Sequence, residues 1–463
     1  MLLSLLSERT PYMEFVVGFA ACISTLHLYL DYRQLKVCLI CAVSSDSSRG
    51  IMIEIGCFDL NLMFHAQALR NTVPPKEVKH LYSKSECEVK AAYQKDKLKF
   101  GIVHSIFDSA LSLTMLIKGY YPYVWKISGA VISFLGWQSG EIKQSIAWVL
   151  ILSLVSTCMN IPWSLYSTFV LEEKHGFNKT TLSTFFTDLV KSTMLTFVLA
   201  PPIISGIVYI LLHTGPAMAL YMWGFMLGLS LVMLTIYPVF IAPLFNKYTP
   251  LEEGELRQKI EELASSLKFP LKKLFVVDGS KRSAHSNAYM YGFFKNKRIV
   301  LYDTLINQCN EDQVTAVLAH ELGHWKLGHT KFLFLGTQII LGAQLGLFAA
   351  LRGAPGLYEA FGFIGKGQQP ALAALVLFQL LVGPLDEFLS LLQNMVSRAF
   401  EFQADAFGVK LGKGKELKEA LCILDKENKG PPNVDPWYST YHYSHPPLPE
   451  RLMAIEHLAK KSK

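Results

Sequence analysis

The sequence predicts a mainly α, polytopic membrane protein with about seven spanning helices and a smaller soluble α+β portion in two pieces. Three observations predict it. Of 463 residues, 51% are hydrophobic and only 17% charged, where an average soluble domain carries roughly 25% charged residues. Seven apolar stretches lie near or above the roughly 20 residues that cross a bilayer as a helix. The Lys- and Arg-rich loops between those stretches fall on one side once seven spans are threaded in order. The same composition excludes disorder, because so much apolar surface is available for burial. Eight cysteines with no repeating pattern exclude a disulfide scaffold.

The elements follow in chain order. Residues 13–30 form the first apolar stretch. It lacks a small-x-small cleavage site and reads as a retained signal anchor. The second to fourth stretches are residues 102–119, 146–170 and 194–213. The fifth, residues 217–245, carries Pro238 and is long enough to tilt or to project past the bilayer. A soluble piece follows, with an amphipathic helix at 251–267, a strand at 273–277 and an Asp278-Gly279 turn. Strands at 287–293 and 298–302 then flank a Lys295-Asn296-Lys297 hairpin turn, and a helix starts near Glu311. Spans six and seven are residues 332–351 and 371–392, the last with Pro384 and Asp386. Residues 400–463 read as a helix, a loop rich in Pro, Asn and Tyr, and a final helix near 450–458. Glu14, Asp108 and Asp386 sit in apolar stretches, where they either line a wet cavity or snorkel from span ends.

The segments 31–100, 247–331 and 398 onward hold most of the basic residues. The positive-inside rule makes their side cytosolic, with the N-terminus lumenal and the C-terminus cytosolic. The formal net charge of +7 is thereby accounted for by topology, and no separate basic patch points to nucleic acid. The expected division is a transmembrane region at 1–248, a first catalytic piece at 249–330, spans at 331–393, and a second catalytic piece with the tail at 394–463.

His320-Glu321-Leu322-Gly323-His324 is an HExxH motif. On a helix, positions i and i+4 share a face, so both imidazoles can bind one Zn²⁺, with Glu321 beside them to take a proton from water. A catalytic zinc takes a third protein ligand and keeps one position open. The best candidate is Glu401, in Phe400-Glu401-Phe402-Gln403-Ala404-Asp405; Asp405 lies four residues on, so one carboxylate can coordinate while the other braces an imidazole. His329, five residues after His324, is expected to face another way as a surface histidine.

The HELGHWKLGH segment, the FEFQADAF segment and His442-Tyr443-Ser444-His445-Pro446-Pro447 together resemble the type I CAAX prenyl proteases, a family of integral membrane zinc metallopeptidases. The run from Ser286 to Phe294, Asn394 with Ser397-Arg398, and Ile241-Ala242-Pro243-Leu244-Phe245-Asn246 fit the same pattern. The resemblance implies a hollow barrel of seven helices around a water-filled chamber, capped on its cytosolic side by a zincin-like domain. It implies His320, His324 and Glu401 as ligands of one Zn²⁺, Glu321 as general base and Asp405 as the brace of a ligand. It places His445 and Arg451 near the scissile carbonyl, and Asn287, Ala288 and Tyr289 on an edge strand that holds an extended peptide. The chain departs from the family at about 35–64, where some 30 residues intervene. This stretch reads as a disordered cytosolic insertion or a retained intron, and its lone Cys38-Leu39-Ile40-Cys41 lacks the partners of a metal or redox site.

The expected function is a zinc endopeptidase of the ER membrane that removes the last three residues of prenylated CaaX proteins. The lysines at 460 and 461 fit a cytosolic ER-retrieval signal. Two other readings are a membrane quality-control protease for misfolded or stalled chains and a non-catalytic scaffold with structural zinc.

Overall fold

In the computed structural model, residues 12–43, 82–292, 296–364 and 369–461 are described. Seven helices among them are long and apolar enough to cross a membrane. They are α1 (Tyr12–Val43), α2 (Lys84–Ile117), α4 (Glu141–Tyr166), α5 (Leu182–His213), α6 (Met218–Ile236), α10 (His329–Leu351) and α12 (Ala371–Lys410). A short helix α3 (Tyr120–Phe134) joins α2 to α4. Each expected span has its counterpart, but most are longer than the apolar stretch that announced them. Helix α2 starts at a Ser83–Glu86 capping box, far before residue 102. Hydropathy detects only the lipid-matched middle, whereas hydrogen bonding carries the helix on through its polar ends. At 1.5 Å per residue the 40 residues of α12 run to about 60 Å, roughly twice the hydrocarbon thickness. That excess carries its last turns out of the bilayer.

Helix α1 also runs on to Val43, across the start of the expected insertion, because residues 35–43 are apolar apart from Lys36 and contain neither Gly nor Pro. Cys38 and Cys41 lie in its last turns. The remainder of that insertion lies outside the described residues.

The membrane core is concentrated at one end of the barrel. It gathers Tyr12 and Val16 from the start of α1, Leu116 from the end of α2 and Trp148 from the start of α4. It adds Leu211 from the end of α5, Met218 and Met222 from the start of α6, Phe348 from the end of α10, and Leu377 from the start of α12. Alternating ends meet at one level, so the helices run up and down and are plugged there by apolar side chains. Even with the plug residues included, only 6–33% of the residues in each apolar window are buried. A wall of helices, open on both faces, accounts for that low burial better than a solid bundle. The acidic groups in the wall find polar partners: Gln344 donates to Asp386 at 2.6 Å, Tyr441 donates to Glu387 at 2.8 Å, and His104 pairs with Asp108 at 3.2 Å.

At the other end sits a four-stranded sheet in the order β1 (Tyr248–Pro250), β2 (Leu271–Val277), β4 (Lys297–Tyr302), β3 (Ala288–Tyr291). The expected β3–β4 hairpin forms, with Ala288 opposite Leu301 and Tyr291 opposite Arg298. The parallel β2–β4 pairing and the three-residue β1 are further findings. The sheet packs on α7 (Glu255–Ser266), α8 (Asp303–Gln308), α9 (Glu311–Leu327) and α13 (Gly414–Glu427) through Ile260, Ile299, Leu301, Leu305, Leu318 and Ala420. Strand β3 is left as a free edge. Two small helices, α11 (Pro355–Ala360) and α14 (Pro436–His442), and a final α15 (Leu448–Lys461) complete the order.

Phe348, 1% exposed at the centre of the plug, tests this division. Phe348→Ala lowers the thermal unfolding temperature in detergent, with about 3 kcal/mol lost, and leaves metal affinity at the far end unchanged.

Candidate metal centre and active site

Helix α9 starts at an Asn310–Gln313 capping box and stops at Gly328, whose φ of 78° ends the helix in a left-handed cap. Its buried face, with Leu318, Ala319 and Leu322, is anchored in the sheet core, which fixes the rotation of the helix about its axis. His320 and His324 then sit one turn apart on the face turned to α12. A Cβ on Gly323 would lie 3.2 Å from Phe407 and 3.3 Å from the Cα of Ala404. The glycine therefore lets α9 and α12 approach closely enough for a carboxylate of one to meet the imidazoles of the other.

At that crossing, Glu401 lies with its carboxylate 3.4 Å from His320 Nε2 and 3.3 Å from His324 Nε2. The two Nε2 atoms are 3.2 Å apart, and a donor atom from each of the three residues falls within 4.8 Å of the others. Glu401 is 4% exposed, and among the described residues its Oε2 is buried with no well-aligned hydrogen-bond donor, His320 Nε2 being at 3.4 Å. An anionic oxygen and two imidazole nitrogens converging on one point suit a divalent cation with N and O ligands. The site residues therefore fit the metal that the sequence implies.

Asp405, fully buried, accepts from His320 Nδ1 at 2.9 Å and from Arg451 at 2.6 and 2.8 Å through Nη2 and Nε. A proton held on Nδ1 leaves the His320 Nε2 lone pair aimed at the centre. Burial pushes the His320 imidazole down, but hydrogen bonds to Asp405 and Glu401 carry it up to about 9. The site thus attracts positive charge strongly. Arg451, from α15, spends two donors on Asp405 and brings Nη1 within 3.6 Å of Glu401. His445 approaches from the open rim, with Nε2 3.2 Å from Glu401. Glu321 lines the same cavity, and burial pushes its carboxyl above the usual range against the opposing pull of His320 and His324.

The structure thus brings together His320, Glu321, His324, Glu401, Asp405, His445 and Arg451. Asn287 and Ala288, on or beside the free edge, line the same cavity of about 130 Å³. Tyr289 does not reach it. Strand side chains alternate, so Tyr289 points to the opposite face, where its hydroxyl meets that of Tyr248 at 3.0 Å.

His329 corrects the sequence reading. It is 4% exposed and stacks on Phe400 at 4.1 Å, so it is no surface histidine. The reading assumed one continuous helix, on which a five-residue offset points away from His324. Gly328 instead breaks the chain into two helices and folds His329 back, Nδ1 to Nδ1 at 3.0 Å from His324. The signal was the glycine itself, a common residue at helix C-termini.

Two family models match the chain. One is described as CAAX prenyl protease N-terminal, five membrane helices, and covers residues 65–247; the other, peptidase family M48, covers 250–459. The chain is 49% identical over 454 residues to the CAAX prenyl protease 1 homolog of Arabidopsis thaliana, covering 98% of this chain and 99% of that one. It is 42% identical over 422 residues to the CAAX prenyl protease 1 homolog of Homo sapiens, covering 83% and 88%. The crystal structure of S. mikatae Ste24p is similar with a TM-score of 0.86 at 35% identity, covering 97% of this chain and 100% of that one.

Gly323→Val is expected to force α9 and α12 apart, since even one added carbon meets Phe407 at 3.2 Å. Metal content of the purified variant, measured by atomic emission, falls below half while far-UV circular dichroism keeps its helical signal.

Proposed function

The chain belongs to peptidase family M48, and on that premise we propose that it is a zinc-dependent endopeptidase removing the last three residues of prenylated CaaX proteins. Peptide hydrolysis is the activity of the family, and the relatives named as CAAX prenyl proteases cover nearly the whole chain. What carries the substrate reading is the position of β3, a free edge with a different cavity on each face.

The cavity on the metal side holds His320, Glu321 and Glu401 and is walled by Leu305, Val317, Leu417, Leu421 and Leu424. Its volume of about 130 Å³ suits one aliphatic side chain. On the other face, Tyr289 and Tyr291 open into a cavity of about 780 Å³ bounded by Met233, Leu234, Tyr237, Phe245 and Phe334. That cavity lies between α6 and α10 and suits a long isoprenoid chain. A peptide paired to the edge of β3 sends successive side chains to opposite faces. A lipidated cysteine followed by an aliphatic residue satisfies both cavities in two consecutive positions, with the bond between them beside the metal centre.

His320, His324 and Glu401 would hold one Zn²⁺, which supplies Lewis acidity to the attacking water and to the scissile carbonyl. Glu321 accepts the proton of that water and returns it to the leaving amine. Its raised proton affinity, from burial, suits both halves of that transfer. His445 is placed at the open rim to donate to the carbonyl oxygen as negative charge develops. Arg451 has Nη1 left for the same task, while its other donors hold Asp405 behind His320.

The location supported best is the ER membrane. The basic segments 247–331 and 398 onward belong to the catalytic end, which favours a cytosolic catalytic domain and a lumenal N-terminus.

Incubation of the purified chain with a farnesylated CaaX peptide yields a product lighter by the last three residues, and a zinc chelator abolishes it. Glu321→Gln keeps its zinc and loses about 10²–10⁴-fold in kcat; undiminished cleavage by this variant would sink the assignment. Equal cleavage of unprenylated and farnesylated reporters supports the quality-control reading instead. A chain that cleaves nothing and unfolds on zinc removal is the scaffold. Leu234→Trp, which fills the larger cavity, raises KM for the farnesylated peptide about tenfold and leaves that for an unprenylated peptide unchanged.

A further inference from the structure

We infer that His329 is the positioning residue that holds His324 in the tautomer able to bind a metal. The inference rests on the metal centre proposed above and concerns how its two imidazoles are kept in the ligating form. His320 is braced by a carboxylate, Asp405, which accepts only and so fixes the proton on Nδ1. Among the described residues, His324 has no carboxylate on its Nδ1. It faces the Nδ1 of His329 at 3.0 Å, and two ring nitrogens at that distance share a single proton.

The other end of His329 decides which ring keeps it. His329 Nε2 lies 3.0 Å from the amide oxygen of Gln403, an acceptor, so Nε2 carries the hydrogen. A neutral imidazole protonated on Nε2 has a bare Nδ1. His324 must then donate from its own Nδ1, and its Nε2 lone pair turns toward Glu401 and His320. The reversed tautomer would aim an N–H at the metal and abolish ligation.

The geometry that holds His329 is independent of this chain of hydrogen bonds. Its ring stacks on Phe400 at 4.1 Å and 2°, and Gly328 in its left-handed conformation sets where α10 begins. Phe400 and Gln403 flank the ligand Glu401 on α12, so the same helix supplies a ligand and fixes the tautomer of another. The two imidazoles are thereby braced by different chemistry, one by an ion pair and one by a neutral relay.

The test is zinc affinity of the purified full-length chain in detergent, read by competition with a chromophoric chelator, together with the visible spectrum of the Co²⁺-loaded form. His329→Phe keeps the stacking and removes the acceptor, so zinc affinity falls about 10–100-fold and the Co²⁺ bands shift. His329→Asn offers an amide oxygen near the lost Nδ1 and restores affinity to within about threefold of wild type. Gln403→Met, at an exposed position, weakens affinity by about threefold or more. Wild-type zinc affinity and an unchanged Co²⁺ spectrum in folded His329→Phe overturn the inference, as does equal loss in the Phe and Asn variants. Should His329→Phe fail to fold, unchanged affinity in Gln403→Met overturns it. The readout needs no substrate, so failure to cleave CaaX peptides would defeat the proposed function without touching this result.

Discussion

Glu401 places the tightest constraint on this molecule. A carboxylate 4% exposed carries a desolvation cost of several kcal/mol, and its Oε2 finds no donor among the described residues. Its neighbours are two imidazoles that are neutral when they act as ligands. Nothing in an apolar helix crossing would tolerate that arrangement for packing alone. The crossing is nonetheless drawn as tight as backbone allows, with Gly323 against Ala404 and Phe407. Close packing and a buried carboxylate with only long contacts to Arg451 and the imidazoles would be reconciled by a cation, whose binding energy would then contribute to holding the two helices together.

This requirement explains the length and placement of α12. Its first half is buried in the apolar plug through Leu372, Leu377 and Phe378, and its last turns carry Glu401 and Asp405 into the catalytic end. One helix thus connects the most densely packed part of the membrane wall to the metal centre. Helix α10 starts beside the site at His329 and ends in the plug at Phe348 and Leu351. The site is therefore held from the far end of the barrel by two rigid elements, and the wall between can stay thinly packed. Such a wall leaves room on the inner face of β3 for the larger cavity, which a solid bundle would have filled.

Much of this was legible in the sequence. The seven apolar stretches found all seven spans, because bilayer thickness imposes a minimum apolar length that little else in a protein demands. His320 and His324 were legible because helical geometry alone places i and i+4 on one face. Glu401 was legible as the best third candidate, with Asp405 one turn on, but the residues alone did not show how it reaches the two imidazoles. That depends on the crossing of α9 and α12, a tertiary fact carried by Gly323. Tyr289 shows the opposite limit: the edge strand was found, yet period-two alternation turns the tyrosine to the other face, and the exact register decides it. The three-residue β1 and the parallel β2–β4 ladder left no pattern to read. Strands that short, or paired across an intervening hairpin, are specified by their neighbours. His329 was missed for a local reason, since a single glycine changed the direction of the chain.

The charges around the centre form a set that no single member explains. Glu321, Glu401 and Asp405 are three acids within one buried cluster, and among the described residues Arg451 is the one permanent cation that reaches it. Left so, the cluster is anionic, and hydrogen bonds to Asp405 and Glu401 raise His320 against the effect of its burial, while burial raises Glu321. A doubly charged ion brings three acids and one guanidinium to neutrality. A divalent ion held by His320, His324 and Glu401 would need a bare Nε2 on His320, and its charge would favour the ionised form of Glu321. In the proposed mechanism Glu321 and the metal are therefore coupled through charge as well as through position. Neutral His329 fits this balance where a carboxylate would not. A fourth acid behind His324 would restore a net negative charge and hold protons against the metal, whereas a neutral imidazole fixes the tautomer without adding to the charge.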